Sequence, residues 1–145
     1  MKIEKNWKNK SIEQLEKSVW SSLQSSYNSY LIRTCHLLRK KPLKEFTVEE
    51  LRMLIGQNIG LTYTVKIAIE FLRDNILAEG DYYEGDLLNS VLTSSKTFWL
   101  KSQEQWGTIC RLFENNEQTL KEFETTHEIR RMWFENFKEL RNIHS

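Results

Sequence analysis

Apolar residues in this chain recur at intervals of three and four positions. Leu61, Val65, Ile69 and Leu72, with Ala68 and Phe71 alongside, form a broad stripe that only an α-helix gathers onto one face. Near the other end, Ile129, Trp133, Phe137 and Leu140 form a second stripe, with Met132 and Phe134 at its margins. No alternating run makes a convincing strand. With one proline and five glycines in 145 residues, the chain lacks the breakers that long irregular loops need. The pattern implies an all-α fold class: a single-domain bundle of about seven or eight helices.

Polar caps mark where these helices start. Ser11 and Gln14 stand in capping-box spacing and open a helix over Ser11 to Lys17, while the serine-rich stretch from Ser18 to Ser29 weakens its continuation. Tyr27, Tyr30, Leu31, Thr34, Cys35, Leu37 and Leu38 predict a helix from Tyr27 to Lys40, where Arg39, Lys40 and Lys41 suit a C-terminus before Pro42. Thr47 and Glu50 make a second capping box for a helix from Val48 to Gln57, with Phe46 and Leu51 placed to staple its entry. Gly56 and Gly60 bracket Gln57 and Asn58, a place for a left-handed cap before the helix from Leu61 to Asp74. Further helices are expected over Asp86 to Leu92, Lys96 to Leu100 continuing after a break at Ser102 through Gln103 to Glu114, Glu117 to Phe123, and Thr126 to Asn142.

Between two of these helices lies a loop of another character. From Glu79 to Asp86 it carries Glu79, Asp81, Glu84 and Asp86, with Tyr82 and Tyr83 among them, and no basic residue answers them within the segment. Carboxylates steer a basic surface inward and tyrosines bury contact area at low entropic cost, so the pattern suits capture of a cationic partner. Two readings stay open from the residues alone. In one, Asp81 and Asp86 cap helices, Gly80 and Gly85 make turns, a tyrosine tucks into the core, and the segment is scaffold. In the other, Asp86 caps and one tyrosine packs inward, while Glu79, Asp81, Glu84 and the other tyrosine face a partner.

The same region carries a family resemblance over a little over a third of the chain. Lys41-Pro42-Leu43, Phe46-Thr47, Glu49 or Glu50 and Leu51-Arg52 form its entry. Ile55-Gly56-Gln57-Asn58 and Gly60-Leu61 form its turn, and Leu77-Ala78-Glu79-Gly80-Asp81, Tyr83 and Gly85-Asp86-Leu87-Leu88 its exit. In this order the residues resemble the core of the immunity proteins of bacterial contact-dependent growth inhibition (CDI) systems, departing at Thr62 and Lys66, where many members are expected to carry proline. The resemblance implies a protein that binds the C-terminal toxin domain of the CdiA exoprotein of its own system, one to one, and covers the toxin's active site. Such toxins are often nucleases, here an RNase sooner than a DNase, so an acidic surface would stand where phosphate binds. The contact residues then expected are Glu79, Asp81, Tyr82, Tyr83, Glu84 and Asp86, with no catalysis by the protein itself and no cofactor.

Charge sharpens the alternative. The formal net charge of +1 argues against a dedicated nucleic-acid binder, yet Met1 to Phe46 holds ten Lys or Arg against four acids, and Thr47 onward eleven against sixteen. A helical RNA-binding or regulatory module using the basic N-terminal third is therefore the competing reading. Residues 1–10 read as a solvated, partly disordered basic tail ahead of one helical domain over 11–145, since they lack a groove-reading helix.

Cys35 and Cys110 sit in apolar helical patterns and are expected as buried free thiols. His36 neighbours Cys35, but adjacent helical residues point about 100° apart and form no thiol–imidazole pair. His127 and His144 have no ligand spacing to each other or to a cysteine, so no metal site is expected. Trp106 and Trp133 read as core, Trp99 as core or exposed anchor, and Trp7 and Trp20 as packing over a domain edge. The N-terminus lacks the apolar run of a signal peptide, and no segment approaches the ~20 apolar residues of a membrane span. The expected location is the cytoplasm.

Overall fold

Caps and left-handed residues place the helices where side chains can supply the backbone's missing partners. The computed structural model describes residues 3–20 and 29–144. Ser11 opens α1 (Ile12–Glu16) with a complete capping box, and Lys17 ends it in the left-handed region. Ser29 accepts from the Ile32 amide at the start of α2 (Tyr30–Leu38). Tyr27, expected within this helix, lies outside the described residues. A second complete capping box, Thr47 with Glu50, starts α3 (Val48–Gly56), and Gly60, itself left-handed, precedes α4 (Leu61–Asp74). Asn58, within the turn that Gly56 and Gly60 bracket, is left-handed as well, and its Oδ1 accepts from the Ser95 amide at 2.8 Å, tying this turn to a distant helix start.

Five more helices complete the chain: α5 (Asp86–Leu92), α6 (Lys96–Lys101), α7 (Gln103–Asn115), α8 (Glu117–Glu122) and α9 (His127–Arg141). The fold is all-α and no β-strand occurs among the described residues. Nine α-segments occur there against about seven or eight expected, and the expected break at Ser102, which leaves helical geometry, divides α6 from α7.

Helix α3 is the hub. It lies between α4 and α5 and also meets α2, while α9 closes over α5 and α7 packs on α4 and α9. Leu51, Leu54 and Ile55 of α3, Val65, Ala68 and Leu72 of α4, and Leu87, Leu88 and Val91 of α5 are fully buried between them. Phe113 of α7 stacks on Phe137 of α9 at 3.9 Å and meets Phe134 edge-on, so aromatic geometry joins the last two long helices.

Trp99 is completely buried, its indole N–H donating to Ser94 Oγ at 3.0 Å. It is core, not an exposed anchor. His144 packs against Trp106 and bonds the Trp99 carbonyl at 2.7 Å. Over its described residues the expected N-terminal tail also folds back: Trp7–Asn9 forms a 3-10 turn, Trp7 lies 6.1 Å from Tyr63, and the Lys10 carbonyl accepts from the Leu43 amide. An amphipathic tryptophan gives that segment something to bury. Lys2 of this tail lies outside the described residues.

Cys35 and Cys110 are free and buried. Burial raises both thiols, Cys110 to about 11, which leaves neither an activated nucleophile.

Candidate functional site

The acidic segment is a small hairpin, built from both of its ends. Asn75 Oδ1 accepts from the Leu77 amide, Gly85 donates to the Leu77 carbonyl, and Glu79 and Glu84 form an isolated antiparallel bridge. The tip, from Gly80 to Tyr83, folds over the first turn of α5. There Asp86, only 3% exposed, receives three backbone N–H groups: Gly80 at 2.7 Å on Oδ1, and Tyr82 at 3.1 Å and Tyr83 at 3.4 Å on Oδ2. One buried carboxylate thus satisfies most of the donors that a tight tip exposes.

The sequence places Asp86 among the expected contact residues, and the structure corrects this. Its burial removes it from any surface a partner could touch, and its chemistry explains why. A buried carboxylate with three amide donors is a structural acceptor that shapes the backbone around it.

Helix α3 supports the hairpin from below. Glu49 Oε1 accepts from the Asp81 amide at 2.8 Å, and Arg52 grips the same carboxylate through Nε at 2.6 Å and Nη2 at 2.5 Å. Arg52 Nε also stands 3.9 Å from Asp86 Oδ2, and its guanidinium carbon lies 4.4 Å from the Tyr82 ring centre. The acidic loop is therefore answered by a cation, supplied across space. Sequence reasoning assigned Glu49 and Arg52 no role, although both lie in the entry motif that carries the family resemblance.

The two tyrosines differ in exposure. Tyr83 is half-buried, with its hydroxyl accepting from Asn89 Nδ2 at 3.1 Å, and Asn136 of α9 donates to Asn89 Oδ1 at 2.6 Å. Burial raises its phenol pKa above the ordinary value. Tyr82 is 71% exposed. Glu79, Asp81 and Glu84 are exposed as well, and their carboxylates have no partner among the described residues. The hairpin so presents three free carboxylates and one aromatic ring on a rigid support.

The bidentate hydrogen bond from Arg52 holds the Glu49 carboxyl below its ordinary value of 4.5; burial opposes this and the Asp81 amide reinforces it. A carboxyl depressed by folding contributes stability that is complete above 4.5 and lost as the pH falls through the lowered folded value. Acid titration followed by amide exchange should therefore show the Asp81 amide protected near neutrality and released in that acid window. In the Glu49→Gln variant the acid-dependent step at this amide should vanish.

Elsewhere four cations of the basic N-terminal third are paired with carboxylates. Lys8 pairs with Glu70 at 2.7 Å, Lys10 with Glu4, Arg39 with Glu16 at 2.7 Å, and Lys41 with Glu50 at 2.8 Å. Arg39 is nearly inaccessible, stacked 4.1 Å from Trp20. Such cations present little free charge to a phosphate backbone. Among the described residues no three His, Cys, Asp or Glu stand close enough to hold a metal ion, and no helix is long and apolar enough to cross a membrane.

A sequence model of the family described as CDI immunity proteins matches residues 14–109, which take in α3, α4, the whole hairpin and α5. Neither curated proteins nor solved structures gave a match.

Proposed function

The chain belongs to the CDI immunity proteins, and from that premise we propose that it neutralises the C-terminal toxin domain of its own system's CdiA exoprotein by covering the toxin's active site. It does so one to one, in the cytoplasm, as a binding protein and not as an enzyme. The observation that carries this reading is the hairpin face: Glu79, Asp81 and Glu84 without partners among the described residues, beside an exposed Tyr82, on a loop held by Asp86, Glu49 and Arg52.

Unpaired carboxylates on a surface seldom stabilise a fold. They raise the rate at which an oppositely charged partner arrives, and a preorganised loop spends little entropy when it docks. A nuclease carries a basic substrate cleft, so a rigid acidic loop is a plug of suitable charge. An RNase fits as the toxin, its phosphate sites being the natural target for these carboxylates.

The test uses the purified protein and the toxin domain encoded immediately upstream of its gene. A stable one-to-one complex on size exclusion with light scattering is expected, and cells making the protein should survive expression of that domain. Absence of a complex with any polypeptide encoded beside the gene overturns the proposal.

A further inference from the structure

Beside the hairpin a groove of ≈ 390 Å³ runs between α2 and α3, and Tyr82 with Asp81 forms one of its banks. The other bank is α2. This nine-residue helix is apolar on two sides, which a surface helix in a monomer does not require. Cys35 and Leu38 face the core, whereas Tyr30, Thr34 and Leu37, spaced four and three residues apart, lie on one outer stripe. Tyr30 is 73% and Leu37 66% exposed. Tyr30, Leu31 and Thr34 line the groove opposite Met53, and Leu37 continues the stripe past its end.

The charges around the groove are unequal in availability. Arg52 is committed to Glu49, and Lys41 to Glu50. The charge left over is negative: Asp81 on the bank, with Glu79 and Glu84 behind it on the same hairpin. An occupant must therefore be apolar where it meets Tyr30, Thr34 and Met53, and cationic where it meets Asp81.

We infer that this groove receives a segment of the toxin domain that carries a large apolar side chain and, within one helical turn of it, a lysine or arginine. The inference rests on the immunity function proposed above and adds to it the anchoring half of the contact. The hairpin governs arrival and the groove governs departure, because buried apolar anchors in a pocket, not rim charges, hold a complex together.

Kinetics separate the two halves. The Tyr30→Ser, Leu37→Ser double variant should associate with the upstream-encoded toxin domain at the parental rate and with the parental salt dependence, and dissociate at least about tenfold faster. Both side chains are exposed, so melting should be unchanged, and the same preparation is used to verify this. As a second variant, Thr34→Arg sets a bulky cation where the apolar side chain has to lie and should weaken the complex by a comparable factor. Parental dissociation rates in both variants overturn the groove while leaving a complex, and hence the proposed function, intact. If instead the free protein is a dimer that the double variant converts to monomers without altering toxin binding, the stripe is a self-association surface and the inference fails. Failure of the parent itself to bind the toxin domain removes the immunity reading, and the groove with it.

Discussion

Gly85→Ala is expected to lower the stability of this protein by ~3 kcal/mol or more, through two independent faults. Gly85 has a φ of +89°, a conformation in which an L side chain is strained by about 1–2 kcal/mol. A Cβ built on it would also lie inside contact distance of the Trp133 indole, 2.7 Å from Cε2 and 2.8 Å from Nε1. Trp133 is completely buried and donates its N–H to the Gly85 carbonyl at 3.2 Å, so it cannot retreat without losing that bond and opening the α5–α9 contact. Overpacking of this kind typically adds about 1–3 kcal/mol. For a domain of this size the melting temperature should fall by roughly 6–12 °C, as monitored by circular dichroism in the far ultraviolet. Gly56→Ala supplies the contrast: a Cβ there meets nothing within 4 Å, the residue is helical, and the substitution should stabilise by ~0.5–1 kcal/mol. Equal losses at both positions would mean that the Trp133 clasp is not what fixes the hairpin's exit.

These two glycines also mark how far the sequence could be read. Helix starts at Ser11 and Thr47 were legible because a capping box is a local device, complete within four residues. The stripes of α4 and α9 were legible for the same reason, since burial obeys a short-range period. The division of labour in the hairpin was half legible. That Asp86 would serve the backbone and that one tyrosine would turn inward could be argued from residue types, but nothing local indicated which tyrosine. Tyr83 is the inward one because Asn89 reaches its hydroxyl and is itself held by Asn136, which comes from α9.

Partners that arrive from far along the chain could not be read. The Asp81 amide finds Glu49 across 32 positions, and Trp133 finds Gly85 across 48. A loop that is purely acidic in sequence is in fact underpinned by Arg52, visible only once α3 lies against α5. The bond of His144 to the Trp99 carbonyl is of the same kind, joining residues 45 positions apart.

Reversing charge at Glu79, Asp81 and Glu84 together, each to lysine, is expected to slow association with the toxin domain by on the order of 10- to 100-fold at low salt. All three side chains are exposed and unpaired among the described residues, and the bonds that shape the hairpin run instead through Asp86, Glu49 and the backbone, so the fold should survive the exchange. The salt response is the more specific readout. Steering between opposite charges decays as the Debye length shrinks to ≈ 8 Å at physiological ionic strength, so association of the parent should slow steeply as salt is added. The triple variant should show a flat or inverted dependence, while its dissociation changes far less. Asp86→Asn should behave in the opposite sense: it leaves the exposed charge in place, but an amide offers one acceptor oxygen where three N–H groups now find two, so the hairpin loosens and stability falls with little change in long-range steering. A triple variant that arrives at the parental rate with the parental salt slope would move the toxin contact away from this hairpin, because three charges cannot be inverted within a Debye length of a docking basic surface without altering its approach.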